Sequence, residues 1–227
     1  MRQHLLIDAD DTLWENNIYF EKAFDDFVAF LAHSSLSASE IRSILDEIEL
    51  ANIKTHGYGA ENFARNLCQW YDRLVEREIQ PGDAQRIMSL AARIMGQPIE
   101  AIEGVPATLE YLSMRHDLIL FTKGQEEEQK LKVDRSGLGI YFGHTAVVKE
   151  KDAGAYSALV RERRLDRERT WMIGNSPKSD INPALAAGLN AVYVPHDRTW
   201  HLERTEIAAG PGKLLRVDRF SDLRHHF

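Results

Sequence analysis

Three carboxylates, Asp8, Asp10 and Asp11, follow directly on the apolar run Leu5-Leu6-Ile7 near the start of this 227-residue chain. Like charges this close repel and raise one another's pKa, so a fold tolerates them chiefly where a cation or a developing positive charge compensates. An acidic turn that caps a helix is the plainer alternative. It is common for one Asp-Asp pair and much less so straight after a buried strand.

Elements elsewhere in the chain must hold these acids in place. Leu5-Leu6-Ile7 is too short and apolar for an exposed helix, and it reads as a strand buried on both faces, as central parallel strands are. From Trp14 to about Met95 apolar residues recur at helical spacing, as in Phe20-Phe24-Phe27-Val28-Leu31 and Ile41-Ile44-Leu45-Ile48, which predicts several helices and no sheet. Phe20, Phe24, Phe27 and Phe30 are expected in the core of those helices. Residues 55–59 and 80–83 read as turns, the second capping the next helix.

After Gly96-Gln97-Pro98 apolar runs alternate with amphipathic segments. Strands are predicted over residues 118–122, 145–148, 171–174 and 191–194, with helices near 107–115, 126–135, 153–163 and 183–187. Strand and helix in turn argue for parallel crossover units with helices on both faces of one sheet, which the first strand joins most economically. The helical stretch is then an insertion at the C-terminal end of the first strand, where open parallel sheets bind ligands. The segment after Pro195 reads as irregular.

Composition excludes several classes. With 28 Lys and Arg against 35 Asp and Glu, the formal net charge of −7 gives no general attraction to nucleic acid or acidic membranes. No run reaches the roughly 18 apolar residues that a membrane span requires. Cys68 is the only cysteine, so no internal disulfide forms, and Cys68 itself is expected as a buried helical thiol. Together with an N-terminus lacking a signal peptide's apolar span, this favours a cytoplasmic location.

Asp8-x-Asp10-x-Thr12 at the end of a first strand resembles the signature of the haloacid dehalogenase (HAD) superfamily, although Asp11 stands where many relatives have glycine. The family's second motif, a Ser or Thr closing the second core strand, is matched by Thr122 in Leu120-Phe121-Thr122-Lys123-Gly124. Its lysine has two candidates, Lys149 and Lys151, of which Lys151 is preferred because it immediately precedes Asp152 and the helix carrying Tyr156. Its fourth motif, an apolar strand leading into Gly-Asp-x-x-x-x-Asp, is matched by Gly174 to Asp180 with Asn175 in place of the first Asp.

The resemblance implies an α/β fold: a Rossmann-like doubly wound parallel sheet core over residues 1–13 and 97–227, with an all-helical cap domain at 14–96. It implies a magnesium-dependent hydrolase of phosphate monoesters, in which Asp8 is the nucleophile and Asp10 the acid and base. Thr122, Lys123 and Lys151 would bind the phosphoryl group, and Asp8, Asp10 (through its main-chain carbonyl), Asn175 and Asp180 would hold Mg2+. The true dehalogenases lack an acid at the position of Asp10 and need no metal. The expected partner is a small phosphorylated metabolite, with no nucleic acid and no membrane. A phosphomutase on the same core, and a catalytically weak member that binds a phosphometabolite or a partner protein, are the alternatives; residues 55–59 form either a substrate-facing loop or an ordinary helix-helix turn.

Overall fold

A computed structural model of the chain describes residues 2–227. They form two compact units, one of residues up to Asn17 together with Ile99–Phe227, the other Ile18–Pro98.

The first unit is built on six parallel strands: β1 (His4–Ile7), β2 (Asp117–Lys123), β3 (His144–Val148), β4 (Thr170–Gly174), β5 (Asn190–Tyr193) and β6 (Leu214–Arg216). Their order across the sheet is β3-β2-β1-β4-β5-β6. The chain moves outward from β1 through β2 to β3, then returns to the other side of β1 with β4, so the switch point lies between β1 and β4. Crevices at such points, outside the carboxyl ends of the strands, are where doubly wound sheets bind ligands. β1 is buried on both faces as its apolar run predicts. Leu5 and Ile7 join a core with Leu109 and Leu112 of helix α5 (Val105–Ser113) on one face, and Leu6 joins Tyr156, Leu159 and Met172 on the other.

β6 is the element that reading the sequence passes over. It has three residues, sits at the edge and leaves Leu214 45% exposed, so no apolar run marks it. It pairs in parallel with β5, placing Val192 against Leu215. Gly212 lets the chain enter this pairing, because a Cβ there would lie 1.8 Å from Leu189 O.

The second unit comprises α1 (Asn17–Leu31) from Ile18 onward, α2 (Ala38–His56), α3 (Ala60–Leu74) and α4 (Asp83–Gly96). Phe24, Phe27, Leu45, Leu67, Trp70 and Ile87 are buried in its core, where Phe27 stacks on Trp70 at 5.7 Å, while Phe20 and Phe30 pack on its margin. Ser37 and Glu40 form a reciprocal capping box at the start of α2. α2 runs on through Thr55 and His56, so the connection to α3 is only Gly57-Tyr58-Gly59, and Asn62 closes it by donating to His56 O and Tyr58 O. Gly82 precedes α4 in the left-handed region, and Asp83 secures the turn by accepting from Gln80 N at 2.8 Å. Cys68 is half-buried rather than fully buried, because its place on α3 lies at the edge of the apolar cluster.

Glu49 on α2 is 8% exposed, and its Oε2 has no hydrogen-bond partner among the described residues. Burial pushes its carboxyl from 4.5 up to about 8. The folded state therefore holds a proton that the unfolded chain releases, and the resulting loss of stability starts above pH 4.5 and grows until about pH 8. Glu49→Gln should remove that loss. Thermal unfolding should show the variant more stable than wild type by several degrees at pH 8, with the gap closing near pH 5; a constant gap would mean that ionisation of Glu49 is not its source.

Candidate active site

Asp8 leaves β1 at the switch point, its N–H bonded to Ile173 O of β4 at 2.9 Å. The chain then turns tightly, with Thr12 N and Leu13 N both donating to Ala9 O, while Ala9 and Leu13 are buried without exposure. Asp11 takes a left-handed conformation here, φ 58°, which explains why glycine suits this position. Its carboxylate offsets the strain by accepting from Asn16 N at 2.9 Å and Asn17 N at 3.0 Å. Burial, with Asp10 and Asp8 adding repulsion, raises Asp11 to about 7.

One connected set surrounds Asp8, which is 7% exposed. Its Oδ2 accepts from Thr12 Oγ1 at 2.9 Å and its Oδ1 from Lys151 Nζ, which also donates to Asp180 Oδ1 at 2.8 Å. Lys151 is 3% exposed; burial favours its neutral form, but Asp180 and Asp8 outweigh that and raise its pKa. Lys149 is exposed.

Asp180 is held from below by its own loop. Ser176 caps the π-helical turn Pro177–Ile181 by accepting from Ser179 N, and Pro177 suits the first position, where no amide proton is needed. Asp180 Oδ2 turns back to accept from Ser176 N at 2.9 Å. Gly174 is required beneath it, since a Cβ there would lie 2.2 Å from that oxygen. Buried Tyr156 supports the turn by donating to Ser179 O at 2.9 Å. Burial, then the nearby charge of Asp8, raises Asp180 to about 7 despite its bond to Lys151.

Asn175 is 4% exposed and its amide is oriented. Thr199 spends its hydroxyl proton on His196 O at 2.9 Å, so towards Asn175 it can only accept, which it does from Nδ2 at 2.8 Å. Asn175 Oδ1 is thereby turned to Thr12 Oγ1, 3.1 Å away, on the Asp8 side.

Asp10 faces elsewhere. Its oxygens accept from Trp14 Nε1 at 2.8 Å, Gln129 Nε2 at 3.0 Å and Lys132 Nζ at 3.0 and 3.1 Å. Burial alone would raise its pKa, but Lys132 and these donors leave it lowered. Thr122, 1% exposed, donates to Gln129 Oε1 at 3.3 Å and so joins the Asp10 group. Lys123 belongs to a third group: its Nζ lies 2.7 Å from Glu203 Oε1 and 2.8 Å from Ser179 Oγ. Glu203 also accepts from Ser176 Oγ and Ser179 Oγ, which ties the end of β2 to the loop after β4.

Gln129, Lys132, Thr199 and Glu203 escape a reading of the sequence. Only the first pair leaves a trace: helix α6 (Glu126–Ser136) is charged throughout, yet buries Gln129, Lys132 and Val133. Those positions share one face.

The sequence matches the family model of haloacid dehalogenase-like hydrolases over residues 3–188. The chain belongs to the haloacid dehalogenase-like hydrolase family. A haloacid dehalogenase-like family hydrolase from Xanthomonas campestris has 30% identity and a TM-score of 0.86, the match covering 99% of this chain and 90% of that one. The HAD-hydrolase YfnB of Bacillus subtilis, solved bound to magnesium, has 16% identity and a TM-score of 0.71, covering 100% and 99%. A 2-haloacid dehalogenase from Pseudomonas syringae pv. tomato has 20% identity and a TM-score of 0.64, covering 99% and 97%. No curated protein matches the sequence. No helix among the described residues is long and apolar enough to cross a membrane.

Members of this HAD family generally use Mg2+, and the residues present suit such an ion. Asp8, Asp180 and the oriented Asn175 carbonyl are hard oxygen donors. Two buried carboxylates share the single positive charge of Lys151, leaving a negative excess that a cation would neutralise. A second donor set, Asp11, Glu15 and His196, has ligand atoms within 4.8 Å of one another.

Proposed function

We propose that this HAD-family hydrolase is a cytoplasmic, magnesium-dependent phosphatase that acts on a small phosphorylated metabolite through an aspartyl-phosphate on Asp8. The observation that carries the reading is the pair of differently housed carboxylates two residues apart. Asp8 is buried against Lys151 and Thr12, as a nucleophile beside charge-neutralising donors should be, while Asp10 has its own ring of donors. A dehalogenase needs the first acid only.

Asp8 attacks phosphorus, the bond to the leaving oxygen breaks, and the phosphoryl group passes to the Asp8 carboxylate, which splits one hard step into two easier ones. Asp10, which its donors hold ionised at rest, takes up a proton as the substrate binds, gives it to the departing alkoxide and later removes one from the water that cleaves the aspartyl-phosphate. Lys151 offsets the charge of the phosphoryl oxygens, and Thr122 turns its hydroxyl proton from Gln129 to them. Mg2+, held by Asp8, Asp180, Asn175 and the main chain of Asp10, would supply further charge neutralisation. The net charge of −7 leaves nucleic acids and anionic membranes poorly matched as partners.

Release of nitrophenol from p-nitrophenyl phosphate tests this reading. Turnover should require Mg2+, fall at least about 100-fold in EDTA and return when Mg2+ is restored. The likeness to a dehalogenase favours a second reading, so the same preparation should be given 2-chloropropionate. Chloride release without phosphate release would overturn the proposal.

A further inference from the structure

The face of α6 that carries Gln129 and Lys132 is built around Asp10. Lys132 is 6% exposed, and its Nζ reaches both Asp10 oxygens, Asn16 Oδ1 at 2.8 Å and Glu128 Oε1 at 3.4 Å. Gln129 cannot reverse its amide without losing its bond to Asp10, since Nε2 donates to a carboxylate that can only accept, while Oε1 accepts from Thr122. A buried ammonium is expensive unless it is paired with good geometry, and here the paired geometry is spent on one carboxylate of the proposed chemistry.

We propose that Lys132 is a positioning residue for Asp10: it fixes the direction of that carboxylate, and through it the enzyme's ability to expel basic leaving groups. The inference rests on the phosphatase reading and deepens it. Two contacts from one ammonium, one from Gln129 and one from Trp14 restrain both torsions of a side chain whose proton transfer depends on direction. The benefit scales with the leaving group. Nitrophenolate departs with little help from a proton, whereas an alkoxide requires one.

Lys132→Met, which keeps the stem and removes the donors, should be compared with wild type on p-nitrophenyl phosphate and on a simple alkyl phosphate, and its crystal structure determined. We expect kcat on the aryl ester to fall less than about 10-fold and kcat on the alkyl ester about 100-fold, with KM nearly unchanged for both. Lys132→Arg should recover part of the alkyl activity, and the Asp10 carboxylate should take a new direction in the methionine variant. Equal losses on both esters, with Asp10 unmoved against Trp14 and Gln129, would reduce Lys132 to a structural counter-charge and overturn the proposal. If methionine is not tolerated, Lys132→Gln is read in the same way. Failure of the wild type to cleave either ester would sink the phosphatase reading instead. The direction of Asp10 in the variant crystal would then still decide between positioning, if it moves, and mere packing, if it does not.

Discussion

Asp8→Asn should lower phosphate release by about four orders of magnitude or more while leaving the fold intact. The amide keeps the shape of the carboxylate and can still accept from Thr12, but it is no nucleophile and carries no charge for Lys151. Steady-state assay of p-nitrophenyl phosphate, alongside far-UV circular dichroism and thermal unfolding, separates the two effects. The variant also relieves a conflict, because Asp8 and Asp180 are two buried acids against one lysine. Its unfolding temperature should accordingly match or exceed that of wild type. Full activity in a correctly folded variant would remove Asp8 from the mechanism.

Lys151→Ala is expected to have the next largest effect, and it should damage both activity and stability. Without the ammonium, Asp8 and Asp180 are left buried with no counter-charge, a change of about 3–5 kcal/mol against the folded state. Loss of charge neutralisation at the phosphoryl group should lower kcat by about 1,000-fold. Lys149→Ala, at an exposed position, should stay within about 0.5 kcal/mol of wild type in denaturant unfolding and retain its activity. The opposite ranking of the two lysines would move the role to Lys149.

The strand-helix alternation after Pro98 was legible because a parallel sheet buried on both faces demands short apolar runs separated by amphipathic helices. The runs around Leu118, Thr145, Trp171 and Ala191 correspond to β2, β3, β4 and β5. β6 was not legible, since an edge strand covered on one side needs no such run. Thr55 and His56 read as a turn because of the glycines that follow, yet helical hydrogen bonding continues until Gly57 ends it.

By itself, the sequence determined what local patterns encode: a buried first strand, acids placed immediately after it, and a second acid-bearing loop whose Gly, Ser and Pro set the turn under Asp180. It also determined family membership, because motif order along the chain survives without any knowledge of contacts. Only the tertiary structure decided who pairs with whom. Lys151 meets Asp8 across 143 positions, Lys132 meets Asp10 across 122, and Thr199 turns the amide of Asn175 from 24 positions away. Periodicity reports which face of an element is buried, but not which distant side chain shares that space. In a crossover sheet the partner is set by strand order, and the order that brings β1 beside β4 also brings Asp8 to Asp180 and Asn175.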